Sequence, residues 1–208
     1  LSAGQKTYNG AIAVDVDKNP VKTMLEWAQD KGMSTGLVAT STVTHATPAS
    51  FGAHVDYRKK EAEIAEQFAV ADIDVILGGG KEFWPDSLIS VYENRGGQYI
   101  SDINADIDSN KRLLGLFSDS ALKKVHNGRD VSTTQMAKLA LANLEKDPDG
   151  FFVMIEESQV DWGGHSNSAE YIKGEMKSLN DLVNFALDYQ STHPEVLVVL
   201  TADHECGG

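Results

Sequence analysis

Four short apolar runs constrain this chain most: Gly36 to Thr40 (GLVAT), Asp74 to Leu77 (DVIL), Phe151 to Ile155 (FFVMI) and Val196 to Thr201 (VLVVLT). They are rich in Val, Ile, Leu and Phe, lack polar alternation, and are short for helices. They read as strands covered on both faces. Such strands require a helical layer on each side, and the amphipathic stretches between the runs supply it. The expected class is therefore α/β: three layers around a mostly parallel central sheet, with helices on both faces. Each run opens into polar or glycine residues: STVTH, GGGK, EESQVDWGGH and ADHE. In open α/β sheets ligands bind beyond the carboxyl ends of the strands, so these four segments are where chemistry is expected.

Helical signals fall where the architecture needs them. Asn19-Pro20 reads as the opening of one helix that runs through Met24, Leu25 and Trp27 to a stop at Gly32. Lys59 to Val70 places Ala62, Ile64, Ala65, Phe68 and Ala69 on one side. Ser132 or Thr133 is positioned to cap a helix through Met136, Leu139, Leu141 and Leu144. A last helix is expected from about Ala169 to Gln190. The stretch from about Trp84 to Gly128 reads as a partly helical excursion outside the sheet, within a single domain over 1–208. Gly78-Gly79-Gly80 reads as a tight turn. It lacks both a G-x-G-x-x-G pattern and a Walker lysine and hydroxyl, so a nucleotide-binding loop is rejected.

The formal net charge of -13, spread along the chain, argues against nucleic acid and anionic membrane surfaces as partners. An anionic substrate would then need a local reversal of the field, which bound divalent cations provide. No apolar run is long enough for a membrane span. The lone cysteine, Cys206, leaves the redox compartment undecided.

Three segments carry donor groups. EESQVDWGGH supplies Glu156, Asp161 and His165; Asp and His four apart near a strand-to-helix junction can converge on one cation such as Zn²⁺, or be a polar loop with solvated acids. Asp203-His204 closes the run VLVVLT; the pair can share an ion only where the strand has broken into a loop, and is otherwise an exposed turn. Thr44-His45-Ala46-Thr47-Pro48 is followed by Arg58. Thr47 before proline is expected to be extended, with a free hydroxyl. Arg58 is either a surface arginine leading a helix or a planar fork for phosphate.

Taken in order, Gln5 to Gly10 (QKTYNG), VTHATPASFGAHVDYRK, DVILGGG, VMIEESQVDWGGH and VVLTADHE resemble the landmarks of the alkaline phosphatase family over essentially the whole chain. The resemblance implies two zinc ions and one magnesium. Asp161 and His165 would hold the first zinc, Asp203 and His204 the second, and Thr47 and Glu156 the magnesium. Arg58 would clamp phosphate. The implied reaction is phosphomonoester hydrolysis of small-molecule substrates through a phosphoserine, in a periplasmic or secreted protein, with a homodimer left open. His45 and Trp162 stand where other members carry Asp and Lys, which resembles the marine and cold-adapted bacterial branch and implies faster product release with weaker phosphate affinity.

Asp-Ser occurs at Asp86-Ser87, Asp108-Ser109 and Asp119-Ser120, but no such pair precedes Gln5 to Gly10, where the resemblance places the family's nucleophile, so the nucleophilic serine is expected to be absent. The expectation is an internal fragment of a longer protein, with an incomplete sheet and no measurable turnover by itself. The front, Leu-Ser-Ala-Gly-Gln-Lys, is expected to be trimmed by processing or design. Two other readings stay open: a non-catalytic homologue, and a related phosphodiesterase, sulfatase or phosphomutase of the same superfamily.

Overall fold

The computed structural model describes residues 1–206. In chain order its elements are α1 (Met24–Gln29), β1 (Ser34–Thr42), α2 (Ala46–Gly52), α3 (Glu61–Val70), β2 (Val75–Gly79), α4 (Asp86–Asn94), β3 (Gly97–Ile100), β4 (Arg112–Leu116), α5 (Thr133–Leu144), β5 (Phe151–Glu156), α6 (Gln159–His165) and α7 (Ala169–Thr192). The strands form one all-parallel sheet in the order β3-β4-β2-β1-β5. The α/β class with a parallel sheet is as expected.

Side-chain alternation sends each strand's apolar residues to two separate cores. Leu37, Ile76 and Leu114 pack on the face covered by α2, α3 and α4, with Phe68, Trp84 and Tyr92. Val38, Val75, Leu77 and Leu113 face α5, against Met136, Ala140 and Leu144. Register keeps the faces aligned: Leu37 pairs with Met154, and Val38 with Ile155. Every residue of β1 and β2 is buried. That explains why these strands show no polar alternation.

Local chemistry sets the helix starts. Ser132 accepts the Gln135 N–H while the Gln135 side chain returns to the Ser132 N–H, a capping box that opens α5. Thr23 and Glu26 do the same for α1. This corrects the first expected helix. Its start is the capping box, not Asn19-Pro20, and Pro20 instead bridges antiparallel to Val14.

Two further expectations fail for identifiable reasons. Residues 84–128 are not an excursion outside the sheet, because β3 and β4 extend it beyond β2. The run Arg112–Leu116 is broken by Gly115, where a Cβ would lie 2.7 Å from Leu77 Cδ2 and from the Phe117 ring. A glycine needed for packing hides the strand signal. The segment Val196–Thr201 is not a strand. It pairs with no strand among the described residues, and Leu197, Val199 and Leu200 are exposed. Apolar β-formers become a strand only when a neighbour completes their hydrogen bonds.

The glycine run after β2 is a close-approach device. Gly78 and Gly79 end the strand itself, and Gly80 turns at φ 99°. A Cβ on Gly79 would sit 2.1 Å from the Ser120 carbonyl oxygen and 3.1 Å from Ala121 Cα, both backbone atoms that cannot swing aside. Gly79→Ala is therefore expected to destabilise the chain by about 1–3 kcal/mol or more. Urea unfolding should show a lower midpoint at an unchanged slope, and an unaltered midpoint would contradict this packing.

Candidate metal and phosphate site

β1 and β5 lie side by side, and the loops at their carboxyl ends build the site. Ala39 pairs with Glu156, the last residue of β5, so β1 runs three residues further, to Thr42, before turning into His45 and α2. Past Glu156 the chain turns through Ser158 into α6. An open cavity of about 560 Å³ lies against these ends. It is lined by Thr47, Arg58, Glu156, Asp161, His165, Asp203 and His204, together with His45 and Trp162. Every residue singled out for ligation or anion capture thus reaches one concavity.

Its parts differ in character. At the floor, burial pushes the Glu156 carboxyl above the usual carboxylate range, while hydrogen bonds from Ser158 and Thr47 pull the other way. Ser158 Oγ donates to Glu156 Oε2 at 2.6 Å and accepts the Ser41 N–H at 3.1 Å. Thr47 is helical, not extended as expected. Pro48 lies in the first turn of α2, where its missing N–H costs no intrahelical bond. The Thr47 hydroxyl reaches Glu156 from that helix.

At the mouth, α6 places Asp161 and His165 one turn apart, with His165 Nε2 3.2 Å from Asp161 Oδ1. His204 Nε2 comes to 3.4 Å from the same oxygen and 3.8 Å from Asp203 Oδ2. The two carboxylate–histidine pairs, expected on separate ions, therefore meet around Asp161. The His204 ring is held above its usual range, first by its hydrogen bond to the Glu205 carbonyl and then by the Asp203 charge.

Arg58 and His45 form the third part. Arg58 Nη2 donates to His45 Nε2 at 3.2 Å. Burial, then the neighbouring guanidinium, holds His45 below the usual imidazole range, so the ring is neutral. Its Nδ1 is buried without a hydrogen-bond partner. The ring meets Trp162 edge-on, with centroids 5.7 Å apart. The two positions marked as departures from the Asp and Lys pattern thus touch each other.

Sequence reasoning missed three contributors. Ser158 carried no signal beyond lying two residues after Glu156. Cys206, weighed only for disulfides, sits with Sγ 3.1 Å from Asp161 Oδ1. The third is a buried ion network behind the floor. Glu157 points away from Glu156 and binds Arg129 Nη1 at 2.8 Å, while Arg129 Nη2 binds Glu175 at 2.5 Å. These side chains are only 3%, 2% and 0% exposed for Arg129, Glu157 and Glu175. Thr133 and Ser178 donate to Glu157, and the Val125 N–H donates to Glu175. The network ties the β5–α6 junction to α5 and α7.

Comparison with known proteins decides the family. A sequence profile described as alkaline phosphatase matches residues 1–208. The chain belongs to the alkaline phosphatase family. It is 44% identical to alkaline phosphatase 3 of Bacillus subtilis, covering all of this chain and 48% of that protein. A histidine-to-glutamate variant of the TAB5 alkaline phosphatase, with Mg bound in its M3 site, superposes with a TM-score of 0.94 at 35% identity, over all of this chain and 62% of that one. The cold-active alkaline phosphatase of a psychrophilic Shewanella gives 0.88 at 35% identity, over 93% of this chain and 49% of that one. The chain spans about half the length of the curated relatives it matches.

The donor set is of a kind that can hold divalent cations. Glu156 and Thr47 offer hard oxygens of the kind Mg²⁺ prefers. The Asp and His groups near the mouth offer the oxygen and nitrogen mixture that suits Zn²⁺. A partly buried carboxylate lining a cavity is also a group that a cation would stabilise.

The ion network yields a stability test. Arg129→Met leaves Glu157 and Glu175 buried without their cation, and a loss of about 3–5 kcal/mol is expected. Glu157→Gln still accepts from Thr133 and Arg129 and should cost clearly less. Equal losses in denaturant unfolding would show that charge pairing is not what holds this junction.

Proposed function

We propose that this chain carries the metal- and phosphate-binding portion of a metal-dependent phosphomonoester hydrolase. The supporting observation is the single cavity beyond the β1 and β5 ends, where Arg58, Thr47, Glu156 and two Asp–His pairs meet. Family membership and the Mg-bound TAB5 relative support the same reading.

In this reading Asp161 and His165 hold one zinc, Asp203 and His204 a second, and Thr47 and Glu156 a magnesium. The bound cations supply charge neutralisation at the phosphoryl group and activate the attacking oxygen. The chain's own residues do the rest. Arg58 presents a planar pair of donors to two non-bridging phosphate oxygens. His45, neutral and in contact with Arg58, orients that guanidinium without adding charge. Trp162 walls the site with an apolar ring, and Ser158 fixes the Glu156 carboxylate at the floor. With neither a carboxylate at position 45 nor an ammonium at position 162, the site releases phosphate readily and holds it loosely.

In this reading hydrolysis runs through a phosphoserine, in a protein exported to the periplasm or beyond. The isolated 208-residue chain is expected to release no phosphate from an aryl phosphate. The complete gene product, supplied with Zn²⁺ and Mg²⁺, is expected to do so at alkaline pH. In it, Arg58→Ala should lower kcat/KM by roughly 10–100-fold, as loss of a charge-assisted pair of hydrogen bonds implies. Chelation should abolish turnover. No metal-dependent phosphate release from the complete product would overturn the reading.

A further inference from the structure

We propose that Glu61 is a positioning residue for phosphate capture: it grips the turn after β1 and so holds His45 where that ring meets Arg58. This rests on the reading of Arg58 as the phosphate clamp and adds the residue that sets its place. Glu61 is the first residue of α3, three positions after Arg58. Its Oε2 accepts two hydroxyl hydrogen bonds, from Thr42 Oγ1 at 2.6 Å and from Thr44 Oγ1 at 2.7 Å. Both threonines are buried. They flank the turn that leads into α2, which is closed by the His45 N–H donating to the Thr42 carbonyl at 3.0 Å.

These contacts form a closed ring. From Glu61 the path runs to Thr44, along the chain to His45, across the 3.2 Å hydrogen bond to Arg58 Nη2, and back along the chain to Glu61. The Arg58 backbone is tied down separately, its N–H donating to the Gly10 carbonyl at 2.7 Å. That bond leaves the long side chain free to swing, and its guanidinium is placed by His45. Lys60, beside Glu61, pairs with Asp56 and Glu63. The Glu61 carboxylate thus serves the turn rather than a surface ion pair, and reaches Arg58 through the turn. Without it two buried hydroxyls lose their acceptor. The turn is then free to shift, and the ring of contacts that places the guanidinium opens. A misplacement of about 1 Å in a group that holds substrate can cost on the order of 100-fold in rate.

A double-mutant cycle in the complete gene product, supplied with Zn²⁺ and Mg²⁺, tests this. The readouts are kcat/KM for an aryl phosphate and the inhibition constant of inorganic phosphate. Glu61→Ala is expected to worsen both by roughly tenfold. In an Arg58→Ala background the same change should cost less than about twofold, since residues that act through one another are not additive. Glu61→Gln keeps an oxygen that accepts from both threonines and should restore most of the loss. Metal content should match the parent's in every variant. If Glu61→Ala does not fold, Thr44→Val removes one of the two donors and carries the same cycle. Equal losses with and without Arg58, no loss at all, a glutamine variant as impaired as the alanine one, or loss of bound metal would overturn the positioning role and leave Arg58 as the clamp. Unchanged phosphate inhibition in Arg58→Ala would instead overturn the reading on which it rests.

Discussion

The parallel pairing of β1 with β5 is the constraint on which the site depends. Its register sets Ala39 beside Glu156 and lets β1 continue past the end of β5. The loop after β1 therefore rises beside the loop after β5 and encloses a concavity with Glu156 at its base. A slip of one residue would send Glu156 to the opposite face of the sheet and its apolar neighbours into the wrong core. The two cores resist that slip, because Leu37 with Met154 and Val38 with Ile155 each belong to one face.

Electrostatics makes the site expensive in its bare form. The chain carries a formal charge of -13, and Asp161 and Asp203 both raise the proton affinity of Glu156. Arg58 is the cationic side chain among the residues lining the cavity near these carboxylates. One guanidinium does not reverse such a field over a phosphoryl group, whereas divalent ions seated among the acids would. The same acids that repel an anion are the means of gathering the cations that attract it.

The sheet's central strands were legible because burial on both faces removes polar residues from the run, as in GLVAT and DVIL. Their flanking helices were legible where a cap announced them, as Ser132 and Gln135 do. Gly115 concealed β4, since the signal for close packing and the signal for a loop are the same residue. Val196 to Thr201 misled in the other direction: β-branched composition describes what a segment could pair with, not whether a partner stands beside it. In the site, the residues that bear donors were visible as short motifs. Their convergence around Asp161 was not, because it depends on how the chain returns after α7. Glu157 was unreadable as a structural residue because it sits next to an identical one that faces the cavity.

That neighbouring glutamate gives the scaffold a thermal character of its own. Arg129, Glu157 and Glu175 hold three charges away from water directly behind Glu156. Ionic hydration weakens as temperature rises, so the penalty for keeping them dry shrinks with heating, while stabilisation from the apolar cores levels off. The backing of the cavity floor thus fares best in the warm and relatively worst in the cold. On heating, the part of the molecule behind Glu156 keeps gaining after the part that merely fills the core has stopped.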